Sequence, residues 1–214
     1  MKDVRGLLAG ELAGELAAPM RGLRDRLALL VDHLDRYVAS STGPTPYPWV
    51  ALQGLRHELG DAYLEATLLV RQLDDVQLVL SPPAGGAAQV DCAHEVEVAL
   101  NLLAMKQAGV ELLADVGATP PVQAAPGALA LVVTRLLFLC AQSAHGVAGA
   151  AISVRTFVEG GAVCVTVADS GQGMELPSSE RAALVALLAQ WCGTLDGVVT
   201  PGRGCSFVLH LTPA

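Results

Sequence analysis

Two long stretches of the chain place an apolar residue at alternating steps of three and four. Ala13, Leu16, Met20, Leu23, Leu27, Leu30, Leu34 and Tyr37 form the first series, and Leu52, Leu55, Leu59, Ala62, Ala66, Leu69, Leu73, Val76 and Leu80 the second. This heptad spacing keeps one apolar seam of a helix turned towards its neighbours. It predicts a helix over 3–39, capped by Asp3 and kinked at Pro19, and a second helix over 49–80. Between them, Ser40-Ser41-Thr42-Gly43-Pro44-Thr45-Pro46-Tyr47-Pro48 reads as a turn, because three prolines and a glycine cannot continue a helix. Two heptad helices joined by a short loop form an antiparallel hairpin. A lone hairpin cannot hide both seams, so two copies are expected to pair as a four-helix bundle. Leu16, Met20, Leu23, Leu27, Leu30 and Leu34 of the first helix, with Leu59, Leu69 and Leu73 of the second, then lie in the interface of a homodimer. The alternative is a seam packed on the chain's own C-terminal half.

The pattern changes after Ser81-Pro82-Pro83-Ala84-Gly85-Gly86-Ala87-Ala88, where Pro-Pro and Gly-Gly end the helix. The expected division is a hairpin domain over 1–81 and a second domain over 89–214. In the latter, Asp91 caps a helix running to Gln107, a strand follows over 110–113, and 119–127 forms a loop. A strongly apolar helix spans 128–144. Alternating residues over 151–158 and 162–168 predict antiparallel strands around a Glu159-Gly160-Gly161 turn. A helix over 179–191 leads to a last strand pair, 194–199 and 206–212. That order describes an α+β chain: a helical hairpin followed by an α/β sandwich whose helices cover one face of a mostly antiparallel sheet.

Composition narrows the reading. Apolar residues make up 52% of the 214-residue chain and charged residues 16%, as in a folded chain with a large core. The most apolar run, 128–140, is interrupted by Arg135 and falls short of the roughly 20 residues a membrane span needs. No apolar leader stands at the N-terminus, so a cytoplasmic protein without membrane contact is expected. Five cysteines without paired short spacing suit small buried hydrophobes in a reducing compartment, not a zinc site or a disulfide framework. A net charge of −8 opposes nucleic-acid binding, which requires cations against phosphates. His94, His145 and His210 show no metal-ligand spacing, and Ser170 and Ser206 belong to no hydrolase motif.

Four segments carry a more specific signal. Leu8-Ala9-Gly10-Glu11-Leu12-Ala13-Gly14-Glu15-Leu16-Ala17-Ala18-Pro19-Met20 resembles the H-box of bacterial sensor histidine kinases, with Gly14 where the phosphoacceptor His belongs. Asp169-Ser170-Gly171-Gln172-Gly173 is similar to that family's Asp-x-Gly-x-Gly box, and Gly202-Arg203-Gly204-Cys205-Ser206-Phe207 to its Gly-x-Gly-Thr-x-Phe. Arg135-Leu136-Leu137-Phe138-Leu139-Cys140 aligns with the N-box Asn-Leu-Leu-x-Asn-Ala, with Arg135 and Leu139 at the two Asn positions. The resemblance implies a dimerisation and phosphotransfer hairpin followed by a histidine-kinase-like ATP-binding domain. It also implies a nucleotide site at Asp169, Gly171, Gly173, Gly202 and Gly204.

The departures imply lost catalysis. Glycine has no acceptor nitrogen, leucine has no oxygen for Mg²⁺, and the segment between Met174 and Gly202 is short for a nucleotide lid. The expectation is a catalytically inactive regulator or adaptor of two-component signalling, binding ATP or ADP weakly or not at all. Its expected partner is a response-regulator receiver domain or a sensor histidine kinase, docked around Glu15, Arg21 and Arg24. Two alternatives remain: a histidine phosphotransferase using His57 or His33, and a nucleotide-binding switch retaining ATP or ADP at Asp169. His57-Glu58-Leu59 repeats the first letters of an H-box, but Ala62 stands in place of the proline. His33 lies about a quarter-turn around the helix from Gly14 and nearly 30 Å along it.

Overall fold

The structure is a computed structural model describing residues 4–41, 49–81, 87–104 and 110–214. The proline-rich turn at 42–48, the linker at 82–86 and the expected end of the third helix at 105–109 lie outside the described residues. Helix α1 (Val4–Ser41) runs unbroken through Pro19, and α2 (Trp49–Leu80) follows it. The chain divides into two compact units within these helices: 13–74, and 1–12 together with 75–214.

In the unit 13–74 the heptad seam separates by sevens. Leu16 and Leu30 on α1, and Ala62 and Leu69 on α2, are buried, and Leu23 is partly so. Met20, Leu27 and Leu34, one step out of phase on α1, are 52%, 45% and 43% exposed, as Leu59 and Leu73 on α2 also are at 57% and 38%. One half of the seam therefore packs within the hairpin while the other half stands open. Polar pairs between the helices set their register: Arg26 reaches Glu65 at 3.3 Å, and His33 Nδ1 lies 2.9 Å from Glu58 Oε2.

The other unit is a sandwich. Its five-stranded sheet has the order β2-β4-β5-β7-β6, where β2 is Glu111–Val116, β4 Ala151–Glu159, β5 Ala162–Asp169, β6 Thr194–Thr200 and β7 Gly204–Leu211. All pairings are antiparallel except β2 with β4. One face carries Ile152, Val154, Val163, Val165, Val167, Phe207 and Leu209, all buried. Helices α3 (Cys92–Ala104), α4 (Ala128–Ala144) and α5 (Ser178–Ala189) cover it, with α4 central and buried along nearly its whole length. The start of α1 and the end of α2 complete this core through Leu8, Leu12 and Val79.

A small sheet lies beside it, β1 (Ala88–Val90) paired antiparallel with β3 (Val122–Ala124). This differs from the loop that the sequence predicts over 119–127. Three-residue strands carry too little alternation to be read from a Pro-rich segment, and their pairing depends on a partner over thirty residues away. The strand expected over 110–113 is β2, displaced and longer at Glu111–Val116, since its edge position leaves Leu113 and Ala114 exposed and blurs the pattern.

Candidate functional site

Asp169 ends β5 and points into the unit's core, where it is 8% exposed. Four donors meet its carboxylate. Oδ1 accepts from the Ser143 hydroxyl at 2.8 Å and the Gly171 N–H at 2.7 Å. Oδ2 accepts from the Cys205 N–H at 3.2 Å and the Cys205 S–H at 2.6 Å. A carboxylate offers about four acceptor positions, so these bonds occupy the set. Ser143 also accepts the Gly173 N–H at 2.9 Å, and its carbonyl accepts the Gln172 N–H at 2.9 Å, so α4 and the 170–173 turn are laced together.

The glycines around Asp169 serve this closeness. A Cβ at Gly171 would sit 2.2 Å from the Ser143 carbonyl oxygen. At Gly204, whose φ of +96° already disfavours an L side chain, a Cβ would sit 1.9 Å from the Asp169 carbonyl oxygen. Backbone approaches backbone here. Gly173 (φ +77°) likewise abuts the Thr200 carbonyl, whereas Gly202 forms an open turn closed by its N–H to Gln172 O at 2.7 Å.

On α4, Leu139 is 2% exposed among apolar neighbours, and Arg135, one turn earlier, is also buried. Arg135 donates through Nε and Nη2 to Glu180 of α5 and contacts Glu11 of α1 at 3.3 Å and 3.4 Å. Burial alone would lower the Arg135 pKa, but hydrogen bonding and charge from Glu180, with Glu11 behind it, hold it above the ordinary value. The guanidinium remains charged and committed to the two glutamates. The Asp169 carboxylate is met by protein donors, Leu139 presents only hydrocarbon, and a buried ion pair joins α4 to α5.

Two thiols far apart in sequence meet here. Cys140, at the alanine position of the N-box pattern, has its Sγ 3.8 Å from that of Cys205, at the threonine position of the closing motif. Hydrogen bonding to Cys205 and burial push the Cys140 thiol far up. The available signal was Cys205 at the Thr position of the closing motif. Nothing local in the sequence joins residues 65 apart.

Elsewhere, Gly14 lies on an exposed stretch of α1, and a Cβ there would meet nothing within 4 Å. Arg21 and Arg24 are exposed and Glu15 is half-buried; Arg24 pairs with Asp25 at 2.7 Å. His57 is highly exposed on α2, 3.8 Å from Asp61, and His33 is held by Glu58. None of these belongs to the Asp169 cluster.

The sequence matches no protein-family model and no curated protein. Solved structures do match. The histidine kinase domain of a blue-light-activated histidine kinase from Erythrobacter litoralis superposes with a TM-score of 0.50 at 18% identity, covering 83% of this chain and 94% of that one. A bacterial phosphotransferase gives 0.54 at 13% identity over 97% of this chain and 95% of its own. The catalytic domain of the histidine kinase ThkA gives 0.50 at 12% identity, over 61% of this chain and all of that one. The fold is that of a histidine-kinase core: a long helical hairpin followed by a mixed α/β sandwich of the kinase ATPase type. Among the described residues, no helix is long and apolar enough to cross a membrane.

Proposed function

We propose that this chain is a catalytically silent, dimeric member of two-component signalling that acts by binding a receiver domain or a histidine kinase. The carrying observation is the Asp169 cluster, whose carboxylate is filled by Ser143, Gly171 and Cys205 while Leu139 stands at the metal position. Gly14 supports the same reading from the hairpin, since the acceptor position carries no nitrogen. The likeness in fold to a bacterial phosphotransferase, over 97% of this chain, is compatible with a role in phosphotransfer signalling. The open half of the seam, Met20, Leu27, Leu34, Leu59 and Leu73, fits pairing with a second hairpin. Glu15, Arg21 and Arg24 would then line the docking surface beside Gly14.

A second reading, a phosphotransferase using its own histidine, is favoured by the exposure of His57 beside Asp61. One experiment separates the two. The protein is incubated with radiolabelled ATP and Mg²⁺ and, separately, with receiver domains of the same genome phosphorylated by radiolabelled acetyl phosphate. The wild type is expected to bind a receiver domain or kinase in a pull-down and to take no label. Acid-labile label that disappears in His57→Ala or His33→Ala would replace the adaptor reading with the phosphotransferase one. Failure to bind any receiver domain or histidine kinase would remove the adaptor role altogether.

A further inference from the structure

Cys140, Asp169 and Cys205 come from α4, from the end of β5 and from the start of β7, and their Sγ and carboxylate oxygen atoms lie within 4.8 Å of one another. All three are buried. Soft thiolates with one carboxylate are a donor set for a thiophilic divalent cation of the zinc class. The spacing agrees with this. Zinc–sulfur bonds of about 2.3 Å at tetrahedral angles place two sulfurs about 3.8 Å apart, the separation found between Cys140 and Cys205. Such a distance is a van der Waals contact, not a disulfide, and both cysteines are free. Ser143, one turn beyond Cys140 on the same face of α4, donates its hydroxyl to Asp169 Oδ1 and so orients that carboxylate.

We infer that this cluster is a binding site for a zinc-class cation. The reaction balances as M²⁺ plus two thiols giving a dithiolate complex and two protons. One proton leaves Cys205, where it now bridges to Asp169 Oδ2 at 2.6 Å, and the other leaves Cys140. The Cys205–Asp169 contact lengthens as the metal replaces that proton. With all three donors buried, the metal is structural: it ties α4 to β5 and β7.

Cobalt(II) titrated into the full chain under reducing conditions is the probe. The wild type should develop a thiolate-to-cobalt charge-transfer band and intense visible bands of tetrahedral cobalt, reversed by Zn²⁺. It should release about two protons per metal. Cys205→Thr keeps a hydroxyl to donate to Asp169, so it is expected to fold with unchanged circular dichroism and to lose both bands; Cys140→Ser should lose them too. Cys164→Ser/Cys192→Ser should retain them, which separates this site from Cys164, whose Sγ lies 3.4 Å from His210. A wild type without the charge-transfer band overturns the inference. So does a band that survives Cys205→Thr, or mass spectrometry of freshly purified protein showing Cys140 and Cys205 joined as a disulfide.

Discussion

At the scale of single residues, the motif that resembles a nucleotide box has become a structural joint. Replacing Asp169 should therefore affect folding more than ligand binding. Asp169→Ala strands the Gly171 and Cys205 N–H groups and the Ser143 hydroxyl in a buried place, at about 1–3 kcal/mol for each unmet donor. The expected outcome is a fall in urea midpoint or outright insolubility, with no calorimetric heat of ATP binding in either wild type or variant. A micromolar affinity for ATP that vanishes in a fully folded Asp169→Asn would mean the carboxylate serves a ligand. Gly14 makes the converse case. Its Cβ direction is open, so Gly14→His should fold and accept phosphoryl from a labelled receiver domain while remaining unlabelled by ATP. Labelling from ATP would show that the nucleotide site works. Both positions stand out in the sequence because each motif fixes a residue type within a few positions. Cys140 and Cys205 were not legible as a pair, because their meeting depends on how α4 lies across β7.

Cys92 provides a pH-dependent test at the same scale. Burial, reinforced by the charges of Asp91 and Glu95, pushes its thiol from the ordinary 9.0 to about 11. A pKa raised on folding means that the native state holds the proton where the unfolded chain releases it. The contribution is complete below pH 9 and is lost as pH rises through 11, to the extent of about 3 kcal/mol. Stability measured by urea should decline over that window, and Cys92→Ala should decline less steeply. Equal slopes would mean that Cys92 is solvated in the native state.

At the scale of elements, α4 depends on side chains that its own sequence does not contain. It begins at Gly127, in the left-handed region with φ +76°, and no side chain of its own caps it. Instead Glu95, buried on α3, accepts the Gly127 N–H through Oε1 and the Ala130 N–H through Oε2, each at 2.9 Å. The carboxylate meets the positive end of the α4 dipole, which favours its charge. Glu95→Ala should cost about 2 kcal/mol from the lost cap and unmet N–H groups, read as a lower melting temperature; an unchanged transition would remove Glu95 as the cap. Sequence reading recognised α4 by its apolar run but not what starts it, since a cap from another helix leaves no local signature. Arg135 illustrates the same limit. As the interruption in that run it read as a departure from the N-box, and its partners Glu180 and Glu11 emerged only from packing. Glu180→Ala leaves a buried guanidinium partly unpaired and is expected to destabilise by about 3 kcal/mol, whereas Arg135→Met with Glu180→Leu should be near neutral.

At the scale of the whole molecule, the heptad pattern foretold one continuous seam and the folded hairpin divides it. Leu30 packs between α1 and α2, whereas Leu27, three residues earlier and on the same seam, is 45% exposed. An antiparallel pair satisfies one set of positions, spaced by seven, and leaves the other set to be covered by a second pair. The two sets should respond differently to charge. Leu30→Asp buries a carboxylate without a partner inside the hairpin, at several kcal/mol, and is expected to reduce helical circular dichroism and give aggregated or unfolded chains. Leu27→Asp leaves the hairpin's own packing intact and places the charge only where a second hairpin would seat. It should therefore yield folded monomers by size-exclusion chromatography with light scattering, against dimers for the wild type. Arg24→Glu, exposed and off the seam, should preserve the dimer while weakening receiver-domain binding in the same samples. A Leu27→Asp protein that remains a folded dimer would place the dimer contact on another surface, and the four-helix bundle would have to be abandoned while the fold of each unit stood.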